Sequence, residues 1–322
     1  MKKIKIKTPS RIHITLIDLN GEIGRVDGGL GLTLTEPYVE VEGVLSDSVN
    51  LAGNSLNSER FLKTAKKLSD AFGRGIELNV NKDYRSHVGL GSGTQISLAV
   101  AEIYKRLYNL DLSLTELAGL VGRGGTSGIG VAAFRLGGFI VDGGHSKKIK
   151  KDFLPSSASK APPPPVIARY DFPDWDIVVA IPDLTGYFGD REVDLFQKYC
   201  PISISEVRAL SHIILMKVMP SIVEGDLDDF SDAIARIQTL GFKRVEIDQY
   251  GELIREVINS VRENKVAVGM SSTGPTIYAV TDSGSNEVAR DIKSAFKESD
   301  IGCETIITKA NNNGAKIKEI EL

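Results

Sequence analysis

The chain has 322 residues, of which 42% are hydrophobic and 25% charged, with a formal net charge of −3. That balance is ordinary for a globular protein, the length suggests about two domains, and the charge leaves no footprint for nucleic acid. No apolar run reaches the roughly 18 residues of a membrane span, and Cys200 and Cys303 are too few for a disulfide framework or a zinc site. A cytoplasmic protein without nucleic-acid or membrane partners is expected.

The first half reads as strands at 2–8, 11–17, 38–44 and 76–80, with Ile4 and Ile6 alternating with Lys3, Lys5 and Lys7. Helices are expected at 57–72, 93–108 and 114–121, the last opened by a capping box of Ser113 and Glu116. A buried strand follows at 138–142. The stretch 152–169 holds four consecutive prolines, Pro162–Pro165, which fit neither a helix interior nor a central strand. It reads as an exposed connection, dividing the chain into domains 1–168 and 169–322. The second half starts with a strand at 176–181. Helices are expected near 204–224, with a Ser203–Glu206 capping box, and 227–240, ended by Gly241. A helix at 248–263, a strand at 265–268, a strand at 276–281, a helix at 285–297 and a strand at 303–308 complete an α/β sandwich with an antiparallel sheet.

The 32 glycines are clustered. Gly89-Leu-Gly-Ser-Gly-Thr94 runs directly into a helix. Such a turn offers free backbone N–H groups and the positive end of a helix dipole, which suit a phosphate. Ser92 and Thr94 add hydroxyls. The spacing is neither Walker A nor the dinucleotide fingerprint. A second loop, Gly269-Met-Ser-Ser-Thr-Gly-Pro275, brings Ser271, Ser272, Thr273 and Gly274, so the two loops are expected to share one cleft. A third, Gly122–Gly130, carries Arg123, suited to a phosphate. Near the N-terminus, Arg11 and His13 share a strand face. Arg25 and Asp27 sit in the turn GRVDGG, where Asp18 and Asp27 can either cap turns or bind Mg²⁺.

In order and spacing, PSRIHI, HVGLGSGTQ and GMSSTGP resemble the three motifs of the GHMP kinase superfamily over nearly the whole chain. The resemblance implies an α+β fold: an N-terminal domain like ribosomal protein S5 domain 2 and a ferredoxin-like C-terminal domain. It also implies phosphate binding by Gly89, Gly91, Ser92, Gly93 and Thr94. Two departures stand out. Gly130 occupies the place of the aspartate that many of these kinases use, and Gly93 replaces a serine that helps hold Mg²⁺. The strings SRIHITLIDLNG, GRVDGGLG, GRGGTSGIGVAAF, FLPSSAS and GFKRVE are more closely similar to the β-ribofuranosylaminobenzene 5′-phosphate synthases, a transferase family on the same fold. That resemblance implies transfer of phosphoribosyl from 5-phosphoribosyl-1-diphosphate to 4-aminobenzoate or 4-hydroxybenzoate, with release of CO₂ and diphosphate, toward methanopterin. Mg²⁺ as cofactor and a homodimer are expected with it. Arg11, Asp18, Arg25 and Asp27 are the candidate catalytic residues, Asp27 and Thr94 the candidate metal ligands. Arg11, Arg25 and His13 can each hold the arene carboxylate. For His145 and Glu192 a structural role is favoured. The competing reading is an ATP-dependent small-molecule kinase.

Overall fold

The computed structural model describes residues 2–262 and 266–321. Its first sheet is organised by an antiparallel ribbon of β1 (Lys2–Asp18) and β2 (Arg25–Ser46). Ile4 and Ile6 point into the core. Lys3 and Lys5 pair across the ribbon with Glu42 and Glu40, at 3.1 and 2.8 Å. β2 is long enough to carry further strands at two places. Its C-terminal half pairs with β4 (Gly75–Lys82), which is flanked by β3 (Asn50–Gly53). Its N-terminal half pairs with β5 (Phe139–Asp142) and the short β6 (His145–Ser146). Helices α1 (Ser58–Phe72), α2 (Ser92–Leu107), α3 (Leu114–Leu120) and α4 (Ile129–Leu136) complete this half. The Ser113–Glu116 capping box at α3 forms as expected.

The sheets do not divide at residue 168. β7 (Val166–Tyr170) spans that point and pairs with β5. The C-terminal strand β12 (Lys316–Glu321) returns to pair with β1. Nor is the proline stretch a free connection: Pro155 and Pro164 are buried. A Cβ on Gly125 would lie 2.8 Å from the Ser159 carbonyl oxygen, and one on Gly128 would lie 3.0 Å from Pro164 Cγ. Glycine in the third loop thus admits the segment as a packed strap.

The second sheet has the antiparallel order β11-β8-β10-β9, formed by β8 (Asp176–Pro182), β9 (Ala267–Met270), β10 (Ile277–Thr281) and β11 (Cys303–Thr308). The intervening helices are α5 (Asp190–Tyr199), α6 (Ile204–Ile213), α7 (Met219–Glu224), α8 (Leu227–Ile237), α9 (Gly241–Asp248), α10 (Leu253–Arg262) and α11 (Ser285–Glu298). A π-helical turn, Ile214–Val218, joins α6 to α7. Strand alternation separates two cores. Ile177 and Val179 join Phe230, Ala233 and Ile237 in the core that continues into the first sheet. Val178 and Ala180 face Ile254, Val257, Ile292 and Phe296.

Two local expectations change. Gly241 begins α9 instead of ending α8, and its N–H donates to Glu206 Oε1 at 3.2 Å. Glu206 is thereby drawn away from Ser203, whose hydroxyl lies 2.7 Å from that of Ser205, so no capping box forms there. The helix expected at 248–263 starts at Leu253; residue 263, and residue 265 of the expected strand, lie outside the described residues.

One contact sets how α4, and the loop before it, sit on the ribbon. A Cβ on Gly31 would fall 2.1 Å from Ile129 Cγ2 and 2.8 Å from the Ile12 carbonyl oxygen. Gly31→Ala is therefore expected to destabilise the protein by about 1–3 kcal/mol through overpacking. Urea unfolding measures this, and an unchanged midpoint would contradict the packing described.

Candidate active site

A cavity of about 520 Å³ lies where the two halves meet. Its first wall is the turn Gly89–Thr94 and the start of α2. Gly91, the residue before the helix, adopts φ +79°, and no side chain caps the helix there. The first-turn N–H groups, with the Ser92 and Thr94 hydroxyls beside them, have the chemistry to take an anion.

The opposing wall is the loop after β9. Ser271 is fully buried. Its hydroxyl donates to the Gly89 carbonyl oxygen at 2.7 Å and accepts from the His13 N–H at 3.0 Å. The Ser272 N–H donates to the His13 carbonyl oxygen at 2.8 Å. Gly89, at φ +89°, permits this approach: a Cβ would lie 2.4 Å from the Ser271 carbonyl oxygen. Ser272, Thr273 and Gly274 then line the cavity.

One end of the cavity is cationic. Arg60 and Lys63 reach it from α1, and Arg123 from the third glycine loop. A Cβ on Gly93 would lie 2.9 Å from Arg60 Nη1, so Arg60 lies over the phosphate turn and any larger residue at 93 would displace it. Arg123 Nε is buried with no hydrogen-bond partner among the described residues. Desolvation, then neighbouring Arg60, lowers Arg123 to about 10, so it stays charged at neutral pH. A desolvated guanidinium without a carboxylate partner is a strong attractor for an anion. His87 stacks on Phe188 at a centroid distance of 4.0 Å, and burial, then Arg60 and Arg123, push its pKa down.

Arg11 lies on the glycine turn as well: a Cβ on Gly91 would be 3.2 Å from its Cζ. Arg11 Nη1 donates to the Gly89 carbonyl oxygen at 2.5 Å, and burial lowers its pKa to about 10. Tyr187, Phe188 and Phe196 add aromatic surface to the cavity, and Glu192 and Glu246 also line it. Burial, then Glu246, raises Glu192 to about 7, against the pull of Arg11. Glu246 pairs with the fully buried Lys243 at 2.5 Å, and Lys243 donates to the Ser272 carbonyl oxygen at 2.8 Å. Burial pushes Lys243 down and Glu246 up, and each partly restores the other. Burial holds His13 well below its ordinary value, as a neutral imidazole; its Nε2 lies 3.0 Å from Ser127 Oγ.

Of the residues expected from sequence, the cavity gathers Arg11, Arg123, the 89–94 turn and the 272–274 loop. It does not gather Ser271, whose buried hydroxyl is taken up by Gly89 and His13, nor Asp18, Arg25 or Asp27. Asp18 Oδ1 accepts from the N–H groups of Asn20 and Gly21, as a turn cap. Arg25 donates to the Gly143 and Gly144 carbonyl oxygens at 2.9 and 2.7 Å and braces a turn. Asp27 is fully buried, and both of its oxygens are taken by Lys150 and His145. Their expected catalytic roles, and metal ligation by Asp27, do not fit this geometry. Among the described residues no group of three or more His, Cys, Asp or Glu is placed to hold a metal. Thr94 keeps its hydroxyl at the cavity. Gly130 stands next to it: a Cβ there would press to 3.1 Å of Thr94 Cγ2, so the kinase-type aspartate has little room. Arg60, Lys63 and Glu246 went unnoticed in the sequence because they read as polar faces of amphipathic helices.

The models of the GHMP kinases N-terminal and C-terminal domains match residues 59–138 and 218–298. Among solved structures, a homoserine kinase from Cytophaga hutchinsonii superposes with a TM-score of 0.69 at 16% identity, covering 98% of this chain and 97% of that one. The Streptococcus pneumoniae phosphomevalonate kinase superposes at 0.66 and 14% identity, covering 95% of this chain and all of that one. At such identities the likeness concerns the fold alone. The β-ribofuranosylphenol 5′-phosphate synthase of Methanocaldococcus jannaschii is 46% identical, over 97% of this chain and 99% of its own length. That of Archaeoglobus fulgidus is 56% identical, over 98% of this chain and 99% of its own length. On this similarity the chain belongs to the β-ribofuranosylphenol 5′-phosphate synthase family, a family of enzymes built on the GHMP kinase fold.

Proposed function

We propose that this enzyme transfers the phosphoribosyl group of 5-phosphoribosyl-1-diphosphate to 4-hydroxybenzoate, releasing CO₂ and diphosphate on the way to methanopterin. The phenol in the relatives' names favours 4-hydroxybenzoate over 4-aminobenzoate. One observation carries the reading: a single cavity brings the glycine turn, its arginines Arg11, Arg60 and Arg123, and the aromatic side chains of Tyr187, Phe188 and Phe196 together, with glycine at 130 where the resemblance places a kinase carboxylate. A homodimer, as the family resemblance implies, is part of the proposal.

In this reading the helix N-terminus, Arg60, Lys63 and Arg123 stabilise the negative charge that develops on the departing diphosphate. The C1–O bond breaks, and the ring carbon bearing the carboxylate attacks C1. The bond to the carboxylate then breaks, CO₂ leaves, and its electron pair restores the aromatic ring. No net proton moves, so no protein carboxylate is required at position 130. Arg11 holds the arene carboxylate, and Tyr187 and Phe188 pack against the ring. Mg²⁺ would be held mainly by the diphosphate itself, since this ion favours substrate phosphates and water over dedicated protein cages. The Ser92 and Thr94 hydroxyls are the groups beside it, and it supplies charge neutralisation.

Carboxyl-labelled 4-hydroxybenzoate with 5-phosphoribosyl-1-diphosphate and Mg²⁺ is expected to yield labelled CO₂ without ATP, and chelation is expected to stop it. ATP-dependent phosphorylation of an acceptor without CO₂ release would favour the kinase reading instead.

A pH effect follows from Glu192, whose pKa is raised to about 7. Below that value it is neutral. Above it, it ionises beside Arg11 and competes with the acceptor's carboxylate. The KM for 4-hydroxybenzoate is therefore expected to rise as pH increases through about 7, by at most about tenfold per unit. Glu192→Gln is expected to flatten this rise, and a profile unchanged in that variant would remove Glu192 from the acceptor end.

A further inference from the structure

Beneath the strap that separates β6 from β7 lies a buried charge cluster that the proposed chemistry does not use. Asp27, His145 and Lys150 are 1%, 3% and 5% exposed. Lys150 Nζ donates to both oxygens of Asp27, at 3.1 and 3.0 Å. It also donates to Thr126 Oγ1 and to the Leu154 carbonyl oxygen, each at 2.9 Å. His145 Nδ1 lies 2.6 Å from Asp27 Oδ2, while Nε2 donates to the Pro162 carbonyl oxygen at 2.8 Å. One buried carboxylate therefore ties down both ends of the segment 154–162: Leu154 through Lys150, and Pro162 through His145.

What lies between those ends faces the cavity. Pro155, Ser156 and Ser157 line it, as does Arg123. The strap lies directly against the backbone that follows Arg123: a Cβ on Gly124 would be 2.6 Å from Pro163 Cγ, and one on Gly125 2.8 Å from Ser159. Two hydroxyl-bearing residues thus line the same cavity as a guanidinium whose buried Nε has no hydrogen-bond partner among the described residues. Hydroxyl donors combined with an unpaired arginine suit a phosphate. Burying the Lys150–Asp27 ion pair costs desolvation energy, so the pair is weak evidence of added stability and leaves room for a positioning role.

We propose that residues 154–162 form a phosphate-binding strap: Ser156 and Ser157, together with Arg123, hold a phosphate group of the donor, and Asp27 positions the strap through Lys150 and His145. The identity of the donor rests on the function proposed above; phosphate binding by the strap does not. Asp27 is then a positioning residue that touches neither substrate nor metal.

The test has two arms. The first is the double variant Ser156→Ala/Ser157→Ala, assayed for each substrate. Losing two hydrogen bonds to a charged group is expected to raise the KM for 5-phosphoribosyl-1-diphosphate about tenfold or more, with the KM for 4-hydroxybenzoate far less affected. An unchanged donor KM would overturn the proposal. The second arm needs no turnover. Lys160 is exposed on the strap and followed by Ala161, so trypsin can cut there. Inorganic diphosphate or ribose 5-phosphate is expected to slow that cut by about fivefold or more in the wild-type protein. Lys150→Met is expected to be cut faster and protected less. Protection without any phosphoribosyl transfer would leave the strap standing and sink the donor assignment. Normal transfer with no protection of Lys160 by either compound would sink the strap.

Discussion

The active-site architecture depends on one close backbone approach, between the turn at Gly89 and the loop at Ser271. A side chain at 89 would collide with the Ser271 carbonyl oxygen at 2.4 Å. Without that approach the Ser271 hydroxyl could not bridge the Gly89 carbonyl oxygen and the His13 N–H. The two sheets would then no longer share a cavity. The contact also explains why the Gly269–Pro275 loop is built from small residues. Ser272 must bring its backbone to β1 while its carbonyl oxygen accepts from the buried Lys243. Packing places the helix N-terminus opposite the second half of the chain, and chemistry follows from that placement.

Electrostatics then divides the cavity. Arg60, Lys63 and Arg123 gather at the end of α2 with little opposing charge, so an anion is favoured there. Around Arg11 the charges interlock: Glu246 acts on both Glu192 and Lys243, and Arg11 on all three. A group such as Glu192, held near neutrality, can change charge without the fold rearranging. Beside Thr94 the chain has only Gly130, where even a Cβ would press to 3.1 Å of Thr94 Cγ2.

Much of this was legible in the sequence, for physical reasons. Strands and helices followed hydrophobic period, and the two phosphate-facing loops were visible because close backbone approach demands clustered glycine. Arg123 stood out because it sits inside such a cluster, and Arg11 because it shares a strand face with His13. Most of the expectations that do not fit the geometry concern groups whose partners are far away in the chain; Asp18, a local turn cap, is the exception. Asp27 looked like a metal ligand in a flexible turn, but its partners are 118 and 123 residues away. Arg25 looked catalytic, but it closes the turn by bonding to Gly143 and Gly144. The four prolines signalled a linker because proline excludes helix and central strand. Nothing local shows that Gly124, Gly125 and Gly128 had cleared space for that segment to pack. Gly241 carried the composition of a helix stop, yet its N–H is claimed by Glu206 and it opens a helix.

The claim on which the account turns is that the anion site is the wall formed by the α2 N-terminus and Arg123, and not the turn that holds Arg25 and Asp27. Calorimetric titration of inorganic diphosphate into the wild-type protein, Arg123→Ala and Arg25→Ala tests it directly. The account predicts that Arg123→Ala loses about tenfold or more in affinity, the scale of one charge-assisted contact, while Arg25→Ala binds as the wild type does. Unchanged binding by Arg123→Ala together with a large loss in Arg25→Ala would contradict it.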